Sequence, residues 1–199
     1  SAERTGSSLR PPAAMDAGGR RLEPVLSAEQ IRGIVADLGR RISEDFRGRR
    51  LVLVGVLRGA FVFLADLARA LTIPVEIDFL QASSYGDATV SSGRMRLLLD
   101  CGIDLRGKDV LLVEDIADTG HTLQGLREHL LAKGPARVAV CALIDKRERR
   151  AGEVPIDYAG CMIGEGFLVG YGLDCAQQYR HLPGVYRLVE AAQNGGERS

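Results

Sequence analysis

The run Leu111-Leu112-Val113-Glu114-Asp115-Ile116-Ala117-Asp118-Thr119-Gly120-His121-Thr122-Leu123 decides how the rest of the chain is read. It passes from an unbroken apolar stretch through two adjacent carboxylates into a short polar loop. Beyond the loop a helix is predicted over residues 123–131. An apolar strand over residues 110–113 that feeds directly into a helix is the building unit of an α/β protein. Backbone N–H groups at the helix start, joined by the hydroxyls of Thr119 and Thr122, form a cradle suited to a phosphate. Gly120 lets the backbone come close. Glu114 and Asp115 are expected to face outward beside the cradle, where they suit vicinal hydroxyls or a hydrated Mg2+.

The same rhythm extends in both directions. Ser27 with Gln30 has capping-box spacing and opens a helix with Ile31, Ile34, Val35, Leu38 and Ile42 on one face. Residues 51–56 are apolar and rich in β-branched side chains, as in a strand covered on both faces. A helix over 61–71 and strands over 75–80, 94–99 and 138–144 follow, with a polar loop over 83–93. The fold class is therefore α/β, a mostly parallel twisted sheet flanked by helices with right-handed crossovers. Residues 158–186 break the rhythm with short apolar pieces and several glycines, so a small hood lobe is expected mainly over 155–186. Residues 1–22 read as a flexible leader with Met15 as a native start, and 191–199 as a tail, leaving a domain over 23–190.

Composition narrows the partners. Lys+Arg and Asp+Glu both total 26, and aromatic residues are 5% with no Trp. Zero net charge and few stacking rings give no general case for nucleic acid. No apolar run reaches membrane-spanning length, and the four cysteines show no CxxC pair, which fits a reducing cytoplasm better than a disulfide framework. Neither a GxxxxGK[ST] nor a strand-following GxGxxG occurs.

In open α/β sheets ligands sit at the carboxyl ends of the strands, which selects further segments. Leu57-Arg58-Gly59 offers backbone donors and a guanidinium to an anion. Ser84-Tyr85 lies in the polar loop, placed to act as a lid. Lys146 ends a strand in a chain with only two other lysines, Lys108 and Lys133, and its ammonium can donate to a carbonyl oxygen. Taken singly, each has a plainer reading: a surface arginine, a polar hairpin, a solvated lysine, and for Phe167 a core residue.

Together these segments resemble the type I phosphoribosyltransferases, and among them the hypoxanthine-guanine phosphoribosyltransferases, over roughly residues 23–190. The resemblance implies that Glu114, Asp115, Asp118, Thr119, Gly120, His121 and Thr122 hold the ribose 5-phosphate and ribose hydroxyls. It implies pyrophosphate contacts from Leu57, Arg58, Gly59 and Arg180, with a Leu57–Arg58 peptide that can be cis. Ser84 and Tyr85 belong to the family's flexible loop. Lys146, Phe167 and Leu168 correspond to its purine contacts, and Glu114, Asp115 and Asp174 to its Mg2+ ligands. Asp118 is placed as general base at purine N7. The implied reaction is purine salvage, with phosphoribosyl pyrophosphate and hypoxanthine or guanine giving IMP or GMP, in a cytoplasmic homodimer or homotetramer. Two alternatives stay open: an enzyme preferring xanthine or tolerant of several oxopurines, and a nucleotide-sensing regulator of the same fold. Gly166 departs from the family, where a lysine commonly precedes the stacking aromatic, and Cys175 stands where an aromatic is frequent.

Overall fold

The computed structural model describes residues 19–84, 95–149 and 154–190. In chain order the elements are β1 (Arg20–Leu26), α1 (Ala28–Asp45), β2 (Leu51–Leu57), α2 (Phe61–Ala70), β3 (Val75–Ser84) and β4 (Met95–Leu99). They continue with β5 (Asp109–Ala117), α3 (His121–Leu131), β6 (Arg137–Asp145), β7 (Tyr158–Met162), β8 (Phe167–Val169) and β9 (Val185–Glu190). The main sheet runs β4-β3-β2-β5-β6-β7, and every neighbouring pair is parallel except β3 with β4.

The period-two side-chain alternation of the strands sorts the core into two layers. Leu53, Leu111, Val113, Ala139 and Cys141 meet Ile31, Val35, Leu38, Ile42, Phe63 and Leu67 from α1 and α2. Val52, Val54, Val110, Leu112, Val138 and Val140 meet Leu123, Leu126 and Leu130 from α3. Both faces of β2 and β5 are thus covered, which is why their sequences are apolar without alternation. The helix after β2 and the helix after β5 leave to opposite faces of the sheet. A crevice opens where two such neighbouring strands send their chains apart, and it is the expected binding place.

At the start of α1, Gln30 N–H donates to Ser27 Oγ and Ser27 N–H to Gln30 Oε1, completing the capping box. Several boundaries differ from expectation. β5 runs on through Ala117, so Glu114 and Asp115 are strand residues and half-buried rather than facing outward. α3 begins at His121, which places Thr122 in its first turn. β3 reaches Ser84, and Tyr85 lies outside the described residues.

The hood also differs. Residues 158–162 pair with β6 and extend the main sheet. The separate small sheet is β1-β9-β8, so it recruits residues 20–26 and 185–190. Arg20, Arg21 and Leu22, expected in the leader, are paired with Glu190, Val189 and Leu188. A strand whose partner lies at the far end of the chain leaves only its own weak alternation as a signal.

Candidate active site

The carboxyl end of β5 carries the acidic pair and then turns into α3. Gly120, at φ +86°, is the N-cap of that helix, and no side chain caps it. The first N–H groups of α3 therefore lack an intrahelical or side-chain acceptor, as an anion site at a helix start requires. Thr119, His121 and Thr122 are exposed around this opening.

Glu114 and Asp115 sit at the floor. Burial pushes the Glu114 carboxyl well above its usual range, and the neighbouring Asp115 charge adds to the effect. Burial raises Asp115 as well, partly offset by hydrogen bonds from Glu114 and Ile116 and by the nearby Arg180 cation. Two adjacent carboxylates in so buried a place resist holding two charges. A divalent cation beside it would relieve that cost. Among the described residues no three His, Cys, Asp or Glu side chains converge as a closed metal cage. An open acidic pair suits Mg2+, which keeps waters and takes phosphate oxygens from its substrate rather than filling a protein cage.

The β2–α2 loop lies directly over this pair. The Leu57–Arg58 peptide is cis. A Cβ built on Gly59 would stand 1.8 Å from Asp115 Oδ2, so only glycine lets the loop approach so closely. A Cβ on Gly172 would in turn meet Gly59 O at 2.4 Å. Two glycines thus stack loop 57–59 between the acidic pair and the hood. Tyr171 Oη fixes that stack from outside by donating to Asp66 Oδ2 of α2 at 2.5 Å.

Arg180 Nη1 donates to Gly172 O at 2.7 Å, and its Nη2 lies 3.2 Å from Asp174 Oδ1. Gln177 Oε1 accepts from both Arg58 Nη1 (3.0 Å) and Arg180 Nη2 (3.1 Å). Asp174 Oδ2 accepts the Gln177 backbone N–H at 2.8 Å. Asp174 is thus engaged within its own loop rather than clustered with Glu114 and Asp115.

The third wall comes from β6. Lys146 is only 5% exposed, and its Nζ donates to Gly166 O at 2.8 Å, while its backbone N–H holds Ala117 O at 2.9 Å. The strand-end lysine and the segment before Asp118 are therefore tied together. Asp118 Oδ1 is closed off from water, yet it accepts no hydrogen bond among the described residues. Arg149 Nε stands 3.0 Å from it as an ion pair without hydrogen-bond geometry. Phe167, at 55% exposed, is not a core residue, and its neighbour Leu168 is buried. Gly166, at φ +112°, packs against Arg187, whose Nε occupies the space a Cβ would need.

This geometry agrees with the comparisons. The family "phosphoribosyl transferase domain" matches residues 23–175. The chain belongs to the phosphoribosyltransferase family. It is 46% identical over 170 residues to a hypoxanthine phosphoribosyltransferase of Salmonella typhimurium, covering 84% of this chain and 96% of that one. It is 42% identical over 173 residues to a hypoxanthine-guanine phosphoribosyltransferase of Aquifex aeolicus, covering 86% and 97%. A solved hypoxanthine-guanine phosphoribosyltransferase of Bacillus anthracis superposes with a TM-score of 0.81 at 42% identity, covering 84% of this chain and 98% of that chain.

Within this phosphoribosyltransferase, most residues singled out in the sequence gather at one end of the sheet, around β2, β5 and β6. Asp174 stands apart from the other two candidate Mg2+ ligands, and Tyr85 is not among the described residues. Sequence reading missed Gln177 and Arg149, and gave Tyr171 no role. Each joins the site through a contact made only when separate segments meet.

Proposed function

We propose that this phosphoribosyltransferase joins the phosphoribosyl group of phosphoribosyl pyrophosphate to N9 of hypoxanthine or guanine and releases pyrophosphate, giving IMP or GMP. The reading rests on Asp118 Oδ1, which is shielded from water and, among the described residues, is met by Arg149 as an ion pair but by no aligned hydrogen-bond donor, close to a buried lysine at the mouth of a phosphate cradle. A buried acceptor is normally satisfied by an aligned donor, and one that has only an ion pair with an exposed arginine suits a proton on a ligand. A purine with N7 at Asp118 would turn its six-position toward Lys146. An ammonium only donates, so it favours an oxygen there over an amino group. Exposed Phe167 supplies a face for stacking the ring, and the Leu168 backbone meets its edge.

The 5-phosphate would sit on the N–H groups of His121, Thr122 and Leu123. Glu114 and Asp115, with Asp174 for a second ion, would hold Mg2+, which neutralises the leaving pyrophosphate when bound. Arg58 from the β2–α2 loop and Arg180 from the hood stabilise the same developing charge. Asp118 holds or accepts the base proton as N9 attacks the anomeric carbon. Ser84 and Tyr85 would close over the site and exclude water from the cation-like ribose. A cytoplasmic homodimer or homotetramer completes the proposal; no helix among the described residues is long and apolar enough to cross a membrane.

The test is to mix the protein with phosphoribosyl pyrophosphate, Mg2+ and, in turn, hypoxanthine, guanine, xanthine and adenine, following nucleotide formation by absorbance. The expected outcome is turnover of hypoxanthine or guanine, abolished by EDTA, with adenine inert. Turnover of adenine at a comparable rate would sink the assignment of Lys146, and silence with every base would sink the reading.

A further inference from the structure

The loop after the hood strand β8 holds all the non-glycine residues with left-handed φ among the described residues. Four non-glycine residues there have φ in the left-handed region: Tyr171 at +51°, Ala176 at +49°, Gln177 at +67° and Tyr179 at +75°. Cys175 and Gln178 exchange backbone hydrogen bonds at 3.2 and 3.0 Å, which makes Ala176 and Gln177 the corner residues of a two-residue hairpin. Positive φ at both corners is the conformation for which Asn-Gly is the favoured pair. A glycine at position 177 would suit this backbone better than a glutamine, because its missing Cβ removes the strain. Strained backbone of this kind persists where a side chain is needed for something else.

The Gln177 side chain meets the two arginines placed at the pyrophosphate. They come from two segments that pack on one another, Arg58 from the β2–α2 loop and Arg180 from the hood, and both donate to Gln177 Oε1 at 3.0 and 3.1 Å. The glutamine is itself anchored by its N–H on Asp174 Oδ2 at 2.8 Å. Two guanidinium groups brought this close repel one another. A neutral amide oxygen between them offsets that repulsion by hydrogen bonding without cancelling either charge. A carboxylate in the same place would consume the charge that the anion is meant to meet.

We propose that Gln177 is a positioning residue that holds Arg58 and Arg180 side by side as a two-arginine clamp for the pyrophosphate of the substrate. This rests on the reading given above for the identity of the anion. Setting the donors before the ligand arrives reduces the ordering that binding must otherwise supply. The amide oxygen marks the point where both guanidinium groups converge, and a phosphate oxygen would take its place there or sit beside it.

The test uses the full chain and two variants, Gln177→Gly and Gln177→Glu. Thermal melting, steady-state kinetics and calorimetric titration with inorganic pyrophosphate plus Mg2+ are measured on each. For Gln177→Gly the melting temperature is expected to stay level or rise, because the turn is relieved. Its KM for phosphoribosyl pyrophosphate and its Kd for pyrophosphate should rise about tenfold, the scale of losing a charged hydrogen bond. Its KM for hypoxanthine should stay within about twofold, since the base wall is untouched. Gln177→Glu should weaken pyrophosphate further, since its carboxylate competes for both arginines. Unchanged pyrophosphate affinity in Gln177→Gly, or tighter binding in Gln177→Glu, overturns the inference while leaving the reaction standing. Parallel loss of melting temperature, turnover and affinity for both substrates in Gln177→Gly would make the residue structural and overturn it too. A wild-type protein that neither turns over nor binds pyrophosphate overturns this inference and the reaction together.

Discussion

The two halves of the crevice are built by different means. The half proposed to hold the phosphate is one uninterrupted run of chain, in which β5 delivers Glu114 and Asp115, Gly120 makes the turn, and α3 presents its uncapped N–H groups. The opposite half is assembled from loop 57–59, the end of β6 and the hood, pieces that meet through single contacts such as Lys146 on Gly166 O and Arg58 on Gln177. One half draws on backbone groups whose positions follow once the strand and helix form. The other draws on individual side chains, each of which can be removed alone. Substitutions should therefore act globally on the chemistry in the first half and selectively, on one substrate at a time, in the second.

Asp118 tests the first part of that contrast and carries the largest expected effect. Asp118→Asn keeps the size of the side chain but removes the proton acceptor. Turnover should fall about 10²- to 10⁴-fold, the usual contribution of a positioned acid or base. Melting should barely change, because Oδ1 makes no hydrogen bond among the described residues and its ion pair with half-exposed Arg149 is of a kind that contributes little. Near-normal turnover would remove Asp118 from the chemistry. A collapse of melting temperature would show the contiguous half to depend on that side chain after all.

Lys146 tests the second part with a smaller expected effect. Lys146→Ala removes the donor proposed for the base and also its hold on Gly166 O. KM for hypoxanthine should rise about 10- to 100-fold, as for loss of a hydrogen bond from a charged group. KM for phosphoribosyl pyrophosphate should change little. Equal losses for both substrates would mean that the halves are mechanically coupled rather than separately assembled.

The same contrast accounts for what the sequence revealed. The acidic pair, the turn and the helix start could be read from residues 111–123 because strand, loop and helix are adjacent in the chain. The central strands were legible for the same reason: burial on both faces demands apolar runs such as residues 51–56. The first three residues of β1, Arg20 to Leu22, read as leader, since the partner of β1 is β9 and local alternation is all it shows. β7 was placed in the hood because a strand opening Tyr-Ala-Gly carries little apolar signal, although parallel pairing with β6 claims it for the main sheet. Gln177 escaped notice entirely. Its bond to Arg58 spans 119 residues, and no residue pattern announces a contact of that range. The close approach of Gly59 to Asp115 is likewise visible only when the two strand ends lie side by side.

The smallest expected effect concerns the charge held in the contiguous half. Glu114 and Asp115 are raised by burial, Glu114 further by its neighbour, so the folded protein keeps a proton there that the unfolded chain has already lost. Stability changes with pH in proportion to protons bound in the unfolded minus the folded state, and here that difference is negative. The pair therefore favours the fold at acidic pH, and this contribution is lost as pH rises from about 4, the ordinary carboxylate value, through the raised one. Asp78, Asp100 and Asp104 have lowered values, so their opposite contributions vary only below the ordinary range and leave the window above it to the acidic pair. Mg2+ bound at the pair, as proposed, would replace the proton. Its stabilising effect should grow with pH by about 2–4 °C of melting temperature for each kcal/mol gained. The measurement is melting with Mg2+ against EDTA at steps from pH 5 to 8, repeated on Glu114→Gln, which should flatten the response. A response already flat in the wild-type protein would place the cation elsewhere and take from the phosphate half its role as the site's store of charge.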